Sequence, residues 1–148
     1  MKITSPLPLL ILCAAVMLCG CERDTKLKIE GGNPPQFQMS GSGWLGRLVV
    51  RGHKTLRKID GPDASTYWYL ESGAEPNGVS KLSPIVYGKI PEGCLQKYPE
   101  SGVAPVLSEN EIYYVQVDTT NANGTSKYFI IQNGSVKFAD YESELIGK

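Results

Sequence analysis

Two side chains of this sequence are suited to acid–base or nucleophilic chemistry near neutral pH, His53 and Cys94. His53 is the only histidine and lies in a polar stretch beside Lys54. A catalytic histidine needs an orienting carboxylate and a nucleophile within hydrogen-bond reach, and no neighbouring motif indicates such a grouping. We therefore predict that His53 is an exposed loop residue, that Cys94 is a small apolar residue in a partly buried turn, and that the protein is not an enzyme. A cysteine-dependent hydrolase with a Cys94–His53 dyad is the enzymatic alternative.

Metal and cofactor chemistry has little support in the sequence. A structural zinc site needs about four nitrogen or sulfur ligands, more than one histidine and one free cysteine supply. Asp60 and Asp63 enclose Gly61-Pro62, but the pair lacks the dense oxygen spacing of a calcium loop. Aspartate beside glycine and proline is typical of a turn. We predict no metal and no cofactor.

The aromatic residues are better candidates for binding. Trp44 follows a Gly-Ser-Gly stretch, and Tyr67 and Tyr69 alternate with Trp68 along one apolar segment. Tyrosine and tryptophan are enriched at binding hot spots because they bury much area at a low cost in entropy. We predict a binding face formed by Tyr67, Tyr69 and Trp44. The alternative is that these rings complete the core or cover the edge of a sheet.

The first twenty residues have the layout of a secretory signal peptide. Lys2 precedes an apolar run over 7–18, with Pro6 and Pro8 at its start. A run of this length is too short to span a bilayer, which takes about 20 apolar residues. Residues 1–20 are therefore predicted to be removed.

Cys21 and the three residues before it indicate which kind of signal peptide this is. Leu18-Cys19-Gly20-Cys21 resembles the lipobox of bacterial lipoproteins, and the resemblance implies that Cys21 becomes the lipidated first residue, carrying diacylglycerol and often an N-acyl chain such as palmitate. Stable anchoring takes two or more acyl chains. The expected location is the cell envelope, lipid-anchored to a membrane through Cys21, and Glu22 favours the outer membrane if the host has one.

Composition limits the remaining partners. Lysine and arginine number 15, as do aspartate and glutamate; Lys2 is the only one of these within 1–20, so the mature chain has a net charge near −1. Such a balance argues against nucleic acid as a partner. Cys94 is the only cysteine left free, which excludes an intramolecular disulfide. We predict a tether over 21–25 and one domain over 26–148.

Short alternating segments separated by Gly, Pro, Asn and Asp predict an all-β domain of about seven or eight strands. The predicted strands cover 26–30, 36–40, 44–51, 66–71, 82–90, 111–118, 127–132 and 135–138. Asn133-Gly134 between the last two predicts a tight hairpin, because both turn positions require positive φ. The proline-rich segment 89–106 is predicted not to pair continuously as a strand, and to be either a functional loop or a crossover between sheets.

One motif specifies the sandwich further. Leu107 followed by Tyr113-Tyr114-Val115-Gln116-Val117 resembles the tyrosine-corner run of fibronectin type III and related immunoglobulin-like domains. The resemblance implies a two-sheet sandwich in which the Tyr113 hydroxyl bonds to backbone a few residues upstream and Trp68 lies in the core. Together with the stretches 31–35, 41–43 and 87–93, the chain resembles bacterial lipoproteins that have one such domain.

These observations predict a membrane-anchored lipoprotein that acts as a non-enzymatic binding or structural module of the cell envelope. Its expected partners are the membrane, through lipid on Cys21, and an envelope protein. The alternative is a small β-barrel lipoprotein that acts as an inhibitor or ligand carrier. A barrel and a sandwich differ in whether the sheet closes on itself.

Overall fold

The computed structural model describes residues 23–53 and 65–145, so Cys21, the predicted signal peptide and the Asp60–Asp63 turn lie outside the described residues. In chain order the described strands are β1 (Thr25–Gly31), β2 (Pro35–Gly41), β3 (Trp44–Gly52), β4 (Thr66–Ser72), β5 (Ile85–Val86), β6 (Cys94–Tyr98), β7 (Ile112–Thr120), β8 (Thr125–Gln132) and β9 (Ser135–Ala139). A single helical turn, α1 (Val79–Leu82), precedes β5, and a short 3-10 helix (Glu142–Glu144) follows β9.

The strands form two antiparallel sheets. One has the order β1-β2-β5, and the other has the order β6-β4-β3-β7-β8-β9. The sheets pack face to face and stay open, as in an immunoglobulin- or fibronectin-like sandwich, so the predicted fold class is confirmed and the barrel alternative is not the architecture.

Apolar and polar side chains alternate along the strands, and the apolar ones fill the space between the two sheets. In β1, Leu27 and Ile29 are buried whereas Lys26 and Lys28 are exposed, as expected for strands that are solvated on one side. The same period places apolar side chains of both sheets in one core cluster. Its fully buried large members include Phe37, Leu45, Leu48, Trp68, Leu70, Ile85, Tyr113, Phe129 and Ile131.

The tyrosine corner is confirmed. Tyr113 lies near the start of β7, and its hydroxyl accepts a hydrogen bond from the backbone N–H of Ser108 at 2.7 Å. Its ring is fully buried and stacks on Phe129 with centroids 5.4 Å apart. This bond holds the chain that enters β7 against the core, which is the role of the corner in related sandwiches.

The predicted hairpin between β8 and β9 is also confirmed. Asn133 and Gly134 have φ values of 52° and 71°, the conformation that a two-residue turn between twisted strands requires. The turn sets the register in which Gln132 pairs with Ser135.

The prediction of one strand over 82–90 was wrong. Residues 79–82 form α1, and only Ile85 and Val86 pair as a strand, with Phe37 and Gln36 of β2. Pro84 lacks a backbone N–H, and Gly88 takes a φ of 78°, so extended pairing stops on both sides of β5.

Segment 89–106 does not pair continuously, as predicted, and its first part crosses from β5 in the three-stranded sheet to the six-stranded sheet, but it also contains a strand that was not predicted. Cys94–Tyr98 forms β6, which pairs with β4 at the edge of the six-stranded sheet. Pro91 and Pro99 lie just outside the strand, where a missing N–H removes no ladder bond. The segment is therefore an edge strand with two short flanks.

The start of the domain lies close to Cys21. Strand β1 begins at Thr25, within the predicted tether, and the Arg23 carbonyl already accepts a hydrogen bond from the N–H of Asn123 at 2.8 Å. Among the residues described, no helix is both long and apolar enough to cross a membrane.

Candidate functional site

The side of the six-stranded sheet that faces away from β1, β2 and β5 is called the outer face here. Residues directly opposite each other on neighbouring strands share a face. Arg47 of β3 lies opposite Glu71 of β4 and Asp118 of β7, and Val49 lies opposite Tyr69. The register therefore brings these side chains together on three adjacent strands.

A shallow groove crosses this part of the outer face. Its volume is about 480 Å³, and we call it the Tyr69 groove. The lining residues are Gly46, Arg47, Tyr69, Glu71, Ser72, Asp118, Thr119 and Thr120. The lining comes from β3, β4 and β7, each of which is paired on both sides.

An ion pair forms one wall of the Tyr69 groove. The Arg47 Nε donates to Asp118 Oδ2, and the Gln116 amide donates to the two Asp118 oxygens at 2.8 and 3.1 Å. The bond to Asp118 raises the pKa of the Arg47 guanidinium. The pair is partly exposed, so we expect it to orient the guanidinium more than to stabilise the fold.

Tyr69 and Glu71 form the other wall. The Tyr69 hydroxyl donates to Glu71 Oε1, and Lys97 Nζ lies 3.4 Å from Glu71 Oε2. The hydrogen bond from Tyr69 lowers the pKa of the Glu71 carboxyl. Burial is the largest cause that raises the pKa of the Tyr69 phenol, and its bond to Glu71 is the second. At neutral pH the wall therefore presents a carboxylate and a neutral phenol.

Charges in and beside the groove balance. Arg47 faces Asp118, and Lys97 faces Glu71. Such a surface offers donors and acceptors around the largely buried ring of Tyr69, without a strong field of either sign. It suits a partner with mixed polar and apolar groups, such as a protein segment, better than a polyanion.

The three residues of the predicted binding face are not all together. Tyr69 lines the groove but is only 6% exposed, so little besides its edge and hydroxyl faces a partner. Trp44 pairs with Thr120 at one end of the groove and is 51% exposed. The placement of Tyr67 on the outer face was wrong. A bulge between Val50 and Arg51 shifts the register of β4, and the Tyr67 ring packs on the core edge-on to Tyr113 at 5.2 Å.

His53 and Cys94 do not form a dyad. Cys94 pairs with Ser72 at one end of the six-stranded sheet, whereas His53 follows β3 at the other end, about six residues or about 20 Å away along the strands. Burial raises the pKa of the Cys94 thiol, which disfavours the nucleophilic thiolate. Cys94 contributes to a separate cleft of about 660 Å³ between α1 and the start of β6.

The prediction that His53 is an exposed loop residue was wrong. The ring is half-buried, its Nε2 lies 2.7 Å from Glu142 Oε1, and it packs edge-on to Tyr128 at 6.2 Å. His53 thus ties the end of β3 to the C-terminal 3-10 helix. Within residues 23–53 and 65–145, no group of three or more His, Cys, Asp or Glu side chains is arranged to hold a metal ion.

The charged groove residues Arg47, Glu71 and Asp118 were missed at the level of sequence. Each occupies an outward position of a predicted strand, which is the one signal that they carry. Their proximity depends on which strands are neighbours and in which register, and the bulge between Leu45 and Arg47 alters that register.

The fold and the groove define a two-sheet antiparallel sandwich with a polar, aromatic surface site. Comparison with known proteins adds no relative, because no family model, no curated protein and no solved structure matches the chain.

Proposed function

We propose that this chain is a lipid-anchored, non-enzymatic module of the bacterial cell envelope that binds a protein partner at the Tyr69 groove. Three features support the proposal: the lipobox-like sequence ending at Cys21, the sandwich fold, and the separation of Cys94 from His53. The observation that carries the binding role is the groove itself, in which Tyr69 lies between the Arg47–Asp118 pair and Glu71 on central strands.

Several properties of the groove fit protein recognition. Tyrosine and arginine are the side chains most enriched at binding hot spots. In this groove both are held in place before a partner arrives, because Asp118 fixes Arg47 and Glu71 fixes Tyr69. Preorganisation lowers the entropic cost of association. A neutral charge balance favours a partner without strong net charge.

The anchor is tested by changing Cys21→Ser in cells that are fed an alkyne-tagged fatty acid. We expect the unchanged protein to carry the tag and to sediment with membranes, whereas Cys21→Ser carries no tag and is recovered in the soluble fraction. Without acyl chains, about 0.8 kcal/mol per buried methylene is lost.

Cys94→Ser is the matched control for the anchor. Its side chain is buried within the sandwich, so acylation and sedimentation should match those of the unchanged protein. A Cys21→Ser protein that remains in the membrane fraction, or an untagged wild type, would contradict the lipoprotein assignment.

The binding site is tested by site-specific photocrosslinking in intact cells. A photoreactive amino acid at Ser72 or Thr120, which line the groove, should give one discrete crosslinked product. The same probe at Lys28, which is exposed on the other sheet, should not. We expect Arg47→Ala to weaken the interaction about fivefold or more, since truncation of an anchoring arginine costs more than about 1 kcal/mol.

Identical products from Ser72, Thr120 and Lys28 would count against a specific site. The same conclusion would follow if Arg47→Ala left the yield of the groove product unchanged, provided that the variant unfolds at the same urea concentration as the wild type.

A further inference from the structure

The proposed lipidation at Cys21, together with the contacts of the residues that follow it, indicates which end of the sandwich lies nearest the membrane. The N–H of Asn123 donates to the Arg23 carbonyl at 2.8 Å, the N–H of Thr25 donates to the Asn123 carbonyl at 3.1 Å, and the Asn123 amide donates to Asp24 at 3.0 Å. Residues 23–25 are thus bound to the turn between β7 and β8.

Cys21 is joined to this end by very little chain. It precedes Arg23 by two residues, and two residues span at most about 7 Å. Lipid attached to Cys21 is therefore held close to the β7–β8 turn. We call this end of the sandwich the anchor end.

The turn between β2 and β3 belongs to the same end. A methyl group placed on Gly43 would lie 2.7 Å from the Cβ of Ala122 in the β7–β8 turn, and one placed on Gly41 would lie 2.1 Å from the Asp24 carbonyl oxygen. Only glycine permits this close approach. The β2–β3 turn and the β7–β8 turn are therefore in close contact at this end of the domain.

Trp44 follows Gly43 directly and extends this surface. It pairs with Thr120 and bridges to Gly78, yet half of its surface remains exposed. The residues around the turns are polar, with Arg23 and Lys26 as exposed cations and Asp24 as an exposed anion. An amphipathic indole within a polar, partly cationic rim matches the headgroup layer of a bilayer, where tryptophan is enriched.

We propose that the anchor end rests on the bilayer surface with the Trp44 ring in the headgroup layer. This proposal rests on lipidation at Cys21 under the proposed function. Trp44 pairs with Thr120, which lines the Tyr69 groove, so the groove begins beside the ring and extends along β3 to Arg47, three residues or about 10 Å further from the membrane. A partner that reaches the groove must then approach alongside the membrane.

The test uses the full lipidated chain in vesicles of equal parts phosphatidylcholine and phosphatidylglycerol, with acyl chains unlabelled or brominated near the headgroup. Bromine quenches tryptophan emission at short range. The chain has two tryptophans, and Trp68 is fully buried in the core. We expect a loss of emission in brominated vesicles that disappears in Trp44→Phe, which leaves Trp68 alone.

A second variant reports on the far end. Ser135 is exposed beside the β8–β9 turn, where Gly134 meets Gly32 at the opposite end of β1. In the double variant Trp44→Phe, Ser135→Trp, the new ring should show no quenching beyond that of Trp44→Phe. Both positions are exposed, so we expect these variants to fold.

Each outcome decides the proposal. Acylated, vesicle-bound protein whose Trp44 emission is equal in the two vesicle types would overturn the proposal while leaving the lipoprotein function intact. Equal quenching at positions 44 and 135 would overturn it as well, because the domain would then have no fixed orientation. A chain that mass spectrometry shows to lack acyl groups, and that does not bind vesicles, would overturn both.

Discussion

Trp68→Ala is expected to lower the free energy of unfolding by about 3–5 kcal/mol, the range for truncation of a large buried aromatic side chain. Trp68 is fully buried, its ring lies edge-on to Tyr87 at 5.3 Å, and its indole N–H donates to Gln96 Oε1 at 3.0 Å. Gln96 in turn donates to the carbonyls of Pro99 and Gly102. Truncation thus opens a cavity and also releases the side chain that ties β6 to the following loop. Urea unfolding followed by circular dichroism measures the change.

Two variants separate the cavity from the hydrogen bond. Trp68→Phe keeps most of the buried volume and loses the N–H, so its cost should be clearly smaller. Trp44→Ala removes the other tryptophan, which is only half-buried, and should cost clearly less than Trp68→Ala. Equal costs for Trp68→Ala and Trp44→Ala would contradict the assignment of Trp68 to the core.

Alkaline pH is expected to destabilise the domain steeply above about pH 10. Burial is the largest cause that raises the pKa of the Tyr87 and Tyr113 phenols, whereas an unfolded tyrosine loses its proton near pH 10. Above that pH the unfolded chain binds fewer protons than the folded chain, so stability, fully present below pH 10, falls as pH rises. Each tyrosine contributes at most about 1.4 kcal/mol per pH unit, and only between its unfolded and its folded pKa. Urea unfolding between pH 8 and pH 11.5 measures the slope.

Tyr113→Phe isolates one of the two contributions. At pH 8 it should cost about 1 kcal/mol, because the Ser108 N–H loses its acceptor. Above pH 10 its stability should fall less steeply than that of the wild type, because the variant lacks the phenol whose pKa is raised on folding, so the difference between the two curves should narrow as pH rises. Parallel curves across the whole range would show that Tyr113 does not titrate differently on folding.

Local pattern predicted the strands wherever the period of two ran without interruption. Segments such as 26–30 and 111–118 have one buried face, and alternation is the direct consequence of that burial. The tyrosine corner was also readable, because Leu107 and Tyr113 lie on one short stretch of chain. In these places a local sequence signal coincides with the tertiary contact.

Bulges and edges limited the prediction elsewhere. A bulge turns Tyr67 towards the core although its neighbour Tyr69 stays on the outer face, and nothing in Thr66-Tyr67-Trp68 marks the extra residue. Strand β6 lies between Pro91 and Pro99 and pairs on one side. An edge strand needs only one partner, so its sequence carries a weaker pattern than that of a central strand.

The groove was only partly predictable because it is assembled across strands. Tyr69 was identified from its residue type, whereas Arg47 and Asp118 meet only through the pairing of β3 with β7, strands that are distant in sequence. Alternation places each of them outward, but no local rule states which outward residues become neighbours.

The attachment of Arg23 and Asp24 to Asn123 means that this end of the domain can form only late in synthesis. Asp24 and Asn123 lie 99 residues apart in the chain, so a polypeptide made from its N-terminus cannot close this end until most of its length has emerged. Contacts of such long separation slow folding, since the intervening loop must first be closed. While the chain is being made, the segment next to Cys21 is therefore still undocked, and any enzyme that acts there meets an open chain rather than a finished domain.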